Sequence, residues 1–150
     1  MPNNILAVIE GVALRLLAQR EHTQQELCQK LKRRGYLQDE ILLVLAKLTQ
    51  EGWQSDARFV ELYVAERAGK GYGPLNISQA LQQRGVSEAL IETFLAKNDV
   101  DWSAYLKQIY FKKFKQIPPV DFKEKAQHIR FLQSRGFELD QISGVVDFTA

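Results

Sequence analysis

Apolar residues recur along this chain three and four positions apart, and no segment alternates apolar and polar residues as a half-buried strand would. Ile5, Ile9, Val12, Leu16 and Leu17 form one helical stripe, Phe59, Tyr63 and Val64 a second, and Tyr105, Leu106, Ile109 and Tyr110 a third. After each stripe comes a further helix closed by the same phrase: Arg34-Gly35-Tyr36 behind Leu31, Arg84-Gly85-Val86 behind Leu81, and Arg135-Gly136-Phe137 behind Leu132. The three glycines stand 50 and then 51 residues apart. Six, nine and ten residues beyond them lie Ile41, Val44 and Leu45, then Ile91, Phe94 and Leu95, then Ile142, Val145 and Val146. Those offsets trace one face of a helix, so the phrase marks a structural repeat of about fifty residues.

Each Arg-Gly-apolar phrase reads as a helix end. Glycine just past the last turn can take the left-handed conformation, arginine suits the negative end of the dipole, and the apolar residue folds back on the helix. Helix starts are equally legible. Thr23 with Glu26 has the form of a capping box, Asp121 with Glu124 has the same shape, and Ser55 and Ser87 can cap the helices that follow them. The pattern predicts an all-α protein of three tandem three-helix repeats, over residues 3–52, 53–98 and 99–150. Each unit is expected to bury its own small core and to dock only on its neighbours, giving an elongated, curved helical array.

Composition adds limits. The chain of 150 residues is 45% hydrophobic and 25% charged, ordinary for a globular protein. No apolar run approaches the roughly 20 residues that span a membrane, and the N-terminus lacks the pattern of a signal peptide, so a cytoplasmic, membrane-free protein is expected. Cys28 is the single cysteine and lies beside Leu27 and Leu31, which suits a small packing thiol. The net charge of +2 says less than its distribution. Lys30, Lys32, Arg33 and Arg34 cluster in the first unit, Arg67, Lys70 and Arg84 in the second, and Lys107, Lys112, Lys113 and Lys115 in the third. These are either solvated helix faces or contacts to an anionic partner.

The stretch Arg67-Ala-Gly-Lys70-Gly71-Tyr72-Gly73-Pro74 invites a phosphate-loop reading. The lysine, however, precedes the central glycine, no Ser or Thr follows it, and the segment before it is helical instead of a strand. The dinucleotide fingerprint fails as well, since Pro74 stands where its third glycine belongs. A helix joint fits better, with glycines for the bend and Pro74 in the first turn of the next helix. Arg67, Lys70 and Tyr72, on what reads as a flexible connector, remain candidates for contact with a phosphate or an acidic partner. His22 and His128 are isolated, no metal-ligand spacing occurs, and Asp39, Glu40, Asp99 and Asp101 read as helix-start acids. No enzyme and no cofactor are expected.

Taken together, these parts resemble the RecX family of bacterial recombinase regulators. Ala13–Tyr36 is similar to the opening pattern of that family. Gly52, Asp56, Phe59, Val60, Tyr63, Val64 and Arg67 are similar to its central signature, which continues through Lys70, Gly71, Gly73, Pro74, Ile77, Leu81, Gly85 and Val86. The third unit matches more loosely, through Phe131, Leu132, Arg135, Gly136, Phe137 and Ile142. Leu75 and Asn76 depart from the pattern, being neutral where the family often carries basic residues. The resemblance implies three tandem three-helix repeats and no catalytic residue or cofactor. It also implies a protein that binds the RecA recombinase, chiefly as its nucleoprotein filament on DNA, and mostly inhibits it; a monomer is expected. The residues expected at that interface are Arg67, Lys70, Tyr72, Lys32, Arg33, Arg34, Arg84, Lys107, Lys112, Lys113 and Lys115. The competing reading is a non-specific DNA-binding protein whose cations neutralise phosphates without a recombinase.

Overall fold

The computed structural model describes residues 4–96, 99–115 and 117–146, so the expected unit limits at 3, 98 and 150 lie outside the described residues. Among these residues every regular element is a helix. The first unit holds α1 (Asn4–Gln19), α2 (Gln24–Arg33) and α3 (Gln38–Gln50). The second holds α4 (Asp56–Gly69), α5 (Pro74–Gln83) and α6 (Glu88–Leu95), and the third α7 (Trp102–Phe114), α8 (Phe122–Ser134) and α9 (Leu139–Ser143).

Local chemistry accounts for the ends of these helices. Thr23 and Glu26 form the reciprocal capping box at α2, while the side chains of Ser55, Ser87 and Asp121 accept from free amides at α4, α6 and α8. The middle helix of each unit closes in one way. Tyr36 N–H reaches back to the Leu31 carbonyl at 3.4 Å, Val86 to Leu81 at 3.1 Å and Phe137 to Leu132 at 3.2 Å. The glycine between them sits at φ 93°, 82° and 97°. This is the six-residue closing bond that a left-handed residue allows.

Ile9, Leu27, Leu31, Ile41 and Leu48 are enclosed in a core belonging to the first unit alone. The second and third units do not keep separate cores as the repeat pattern predicts. Val60, Ile77 and Leu81 of one form a single cluster with Leu106, Leu132 and Ile142 of the other. The cause is α7, which packs on α4 and lays Ile109 so close to Gly71 that a Cβ there would fall 2.6 Å from it. With no polar layer between them, apolar side chains continue across the joint. The total accessible surface of 9423 Å² exceeds the roughly 7,800 Å² of a compact monomer of this mass, as an extended arrangement of small units requires.

The joint between the first and second units is polar. Thr23 Oγ1 donates to the Arg84 carbonyl at 2.8 Å, and Gln25 Nε2 to the Gln83 carbonyl at 3.0 Å. Gln54 Nε2 donates to the His22 carbonyl, and Arg58 pairs with Glu21. His22, Thr23 and Gln54 are almost completely buried, and each has hydrogen-bond partners that offset its loss of water. The second joint is backbone on backbone. Gly73 N–H donates to the Arg135 carbonyl at 2.7 Å, and Leu75 N–H to the Gly136 carbonyl at 3.0 Å. A Cβ on Gly73 would lie 2.6 Å from the Gly136 carbonyl group, so only glycine permits this approach. The connector expected to be flexible is therefore held in place by the third unit.

Candidate functional site

Where the second and third units meet, cations and rings alternate along a ladder. Arg67 stands in the last turn of α4 and Tyr72 in the turn that follows, while Arg135 caps α8, Phe131 lies within it and Lys113 ends α7. The Arg67 guanidinium lies 4.1 Å from the centre of the Tyr72 ring, and the Arg135 guanidinium 5.0 Å from the same centre. Arg135 is also 5.3 Å from the Phe131 ring, which Lys113 approaches at 5.4 Å. Each such contact stabilises a cation over a π face by about 0.5–1 kcal/mol at exposed positions.

Packing fixes the ladder from below. Phe114 meets Phe131 edge-on at 5.6 Å and stacks on the His128 imidazole at 3.6 Å. His128 Nδ1 and the Tyr110 hydroxyl form a hydrogen bond of 2.8 Å. Burial holds His128 below the usual imidazole range against the opposing pull of Glu124, so near neutral pH its Nδ1 can accept the Tyr110 proton. Burial also raises the Tyr110 phenol. The site residues above this layer thus rest on a neutral, apolar floor.

Among the described residues, Arg67, Lys113 and Arg135 enter no ion pair, and the buried Nε of Arg67 has no hydrogen-bond partner. A guanidinium held over a ring has N–H groups that the π face does not satisfy, and the unpartnered Nε of Arg67 is one of them. Such groups suit a carboxylate or a phosphate, which they can engage through two parallel hydrogen bonds.

The structure divides the residues expected at the interface. Arg67, Tyr72 and Lys113 come together in the ladder. Lys70 and Lys112 line a small cleft beside it, although Lys70 pairs with Glu66 at 3.1 Å. Lys107 and Lys115 are exposed on and just after α7. Arg84 serves the first joint, with Nε 3.7 Å from Glu26 Oε2 and its guanidinium 5.0 Å from the Tyr63 ring. Lys32, Arg33 and Arg34 form a separate exposed cluster at the end of α2. Arg135 and Phe131 belong to the ladder although neither was named as a contact from the sequence, Arg135 being read as a helix end and Phe131 only as part of the family resemblance. Their one sequence signal was an aromatic four residues before the repeated arginine, on the same helix face.

No group of three or more His, Cys, Asp or Glu among the described residues could hold a metal ion, and no described helix is long and apolar enough to cross a membrane.

Comparison with known proteins matches this architecture unit by unit. The first three-helix domain of RecX matches residues 11–48, the second residues 55–95 and the third residues 100–146. The regulatory protein RecX of Halorhodospira halophila is 42% identical over 134 residues, covering 89% of this chain and 83% of that relative. That of Pseudomonas fluorescens is 41% identical over 138 residues, covering 92% and 89%. The crystal structure of RecX from Lactobacillus salivarius has the same fold, with a TM-score of 0.74 at 20% identity, over 93% of this chain and 92% of that one.

Proposed function

This chain belongs to the RecX family, its role is regulatory, and we propose from that premise that it binds the RecA recombinase, preferentially as the nucleoprotein filament, and lowers its activity. The observation that carries the reading is the cation and ring ladder running across the joint of the second and third units. Its unneutralised guanidinium edges suit acidic side chains or a DNA backbone, both of which a filament offers along its groove. An extended array of three docked units can follow such a groove, obstruct strand exchange and slow ATP turnover. The protein works in the cytoplasm, where such filaments form. Lys32, Arg33, Arg34, Lys107, Lys112 and Lys115 add a diffuse positive field that speeds encounter more than it fixes register.

Binding measured side by side to naked DNA, to free RecA and to the RecA filament, together with DNA-dependent ATP hydrolysis, tests this. The regulator prefers the filament and lowers hydrolysis. Equal affinity for naked duplex with hydrolysis unchanged would overturn the proposal in favour of non-specific DNA binding.

A further inference from the structure

The two joints share one register. In each, the start of the middle helix of one unit receives the Arg-Gly end of the middle helix of the next. Thr23, the cap of α2, donates to the carbonyl of Arg84, and Gly73, the cap of α5, donates to the carbonyl of Arg135. A Cβ on Gly85 would strike Gln25 and one on Gly136 would strike Asn76, so both glycines are pressed against the first turn of the preceding unit's helix. At the first joint the repeated arginine also reaches the third residue past the cap, as Arg84 does with Glu26.

One copy of each half is left over. Arg34-Gly35 is the same helix end, yet nothing lies within 4 Å of a Cβ built on Gly35, and Arg34 is exposed where Arg84 and Arg135 are half-buried. At the other end of the array stands a corresponding start, Asp121 through Glu124, which shares the cap-and-third-residue spacing of Thr23 and Glu26. It has a carboxylate where Thr23 has its donor hydroxyl, leaving the backbone amide, the donor used by Gly73, to meet a carbonyl. This edge exposes three large apolar side chains beside its charged ones, where an array that ends on one chain needs a polar outer face. Ile117 is 64% exposed, Val120 81% and Phe122 85%.

We infer that these two ends fit each other, so that a second copy of this chain docks head to tail with its Arg34-Gly35 on the Ile117–Glu124 edge of the first. The monomer expected from the sequence is then the dilute state only. Two observations select this occupant. The joint already occurs twice within the chain, and Arg34 opposite Glu124 reproduces the charge pairing of Arg84 with Glu26. Because head and tail are different surfaces, the contact does not close on itself and gives open chains of copies.

Sedimentation equilibrium of the full chain, over a wide concentration range at low and high salt, reads the mass directly. The wild type rises above its single-chain 17.2 kDa with concentration, and less so at high salt. Arg34→Glu spoils the head and Phe122→Asp the tail, so each variant alone stays at the single-chain mass. Both sites are exposed, and unchanged circular dichroism verifies that the variants fold. Mixed together they form a dimer and stop there, since the intact tail of one accepts the intact head of the other. A wild type of single-chain mass at every concentration overturns the inference. So does either variant associating as the wild type does, or a mixture of the two that stays monomeric.

Discussion

The amide of Gly73 donates to the carbonyl of Arg135 at 2.7 Å, joining the connector after α4 to the end of a helix in the next unit. One hydrogen bond thereby sets Tyr72 between two guanidinium groups, because Arg135 carries one of them and Arg67 the other. Docking of the units and assembly of the ladder are the same event.

Glycine substitutions separate the two demands of the repeat. Gly35→Ala meets open space and bears only the cost of a left-handed alanine, about 1–2 kcal/mol. Gly136→Ala bears that cost and also drives a Cβ to 2.5 Å from Asn76, adding about 1–3 kcal/mol of overpacking. Urea denaturation is expected to rank Gly136→Ala as clearly the less stable. Equal midpoints for the two variants would remove close docking from the account.

Thr23 has two duties. Its oxygen accepts from the Glu26 amide, and its proton goes to the Arg84 carbonyl. Thr23→Ala removes both and is expected to cost about 1–2 kcal/mol in thermal or denaturant unfolding. Thr23→Ser keeps the hydroxyl and should recover most of that loss. A serine variant as unstable as the alanine one would assign the effect to the methyl group instead.

The buried histidines make stability depend on pH. Burial lowers both His22 and His128 from the ordinary 6.5. At His22 the charges of Arg20 and Lys30 act in the same direction, against the bond to the Arg20 carbonyl. Lys30 Nζ donates to His22 Nε2, so the ring holds its proton on Nδ1 and gives it to that carbonyl. The unfolded chain takes up protons first as the pH falls through 6.5, so stability present above that value is lost progressively down to the lower folded pKa. Denaturation midpoints should fall between about pH 7.5 and pH 5.5. A His22→Gln variant should show a shallower fall, and a slope identical to the wild type would contradict the assignment.

For the ladder, Arg135→Gln removes a guanidinium from two rings while leaving the backbone carbonyl that Gly73 uses. Filament affinity is expected to drop about tenfold, the scale of one charge-assisted hydrogen bond, with little change in unfolding. Tyr72→Phe should be close to neutral, because the ring face carries the contact. Undiminished affinity in Arg135→Gln would move the interface elsewhere on the array.

The helices were legible because their determinants are local. Thr23 and Glu26 lie three residues apart and satisfy each other within one turn, and Arg34-Gly35-Tyr36 closes the helix it follows. The candidate site was legible only in part. Arg67, Tyr72 and Lys113 were named as candidate contacts and meet in the ladder, whereas Arg84, named with them, pairs with Glu26 at the first joint, and Arg135, read as a helix end, lies between two rings. Both stand in the same Arg-Gly phrase, and only the aromatic Phe131, four residues before Arg135 where Ala80 precedes Arg84, sets the two apart in the chain.

By itself the amino-acid order determined three helical units, their caps, their closing turns and the apolar face each buries, because those depend on neighbours within about ten residues. Only the tertiary structure decided that the first joint is made by polar side chains and the second by backbone hydrogen bonds over a shared apolar core, and that the glycine connector is pinned instead of free. Thr23 meets Arg84, and Gly73 meets Arg135, across some sixty residues of chain. Contacts of that separation leave no periodic trace, since they depend on how finished units fit together.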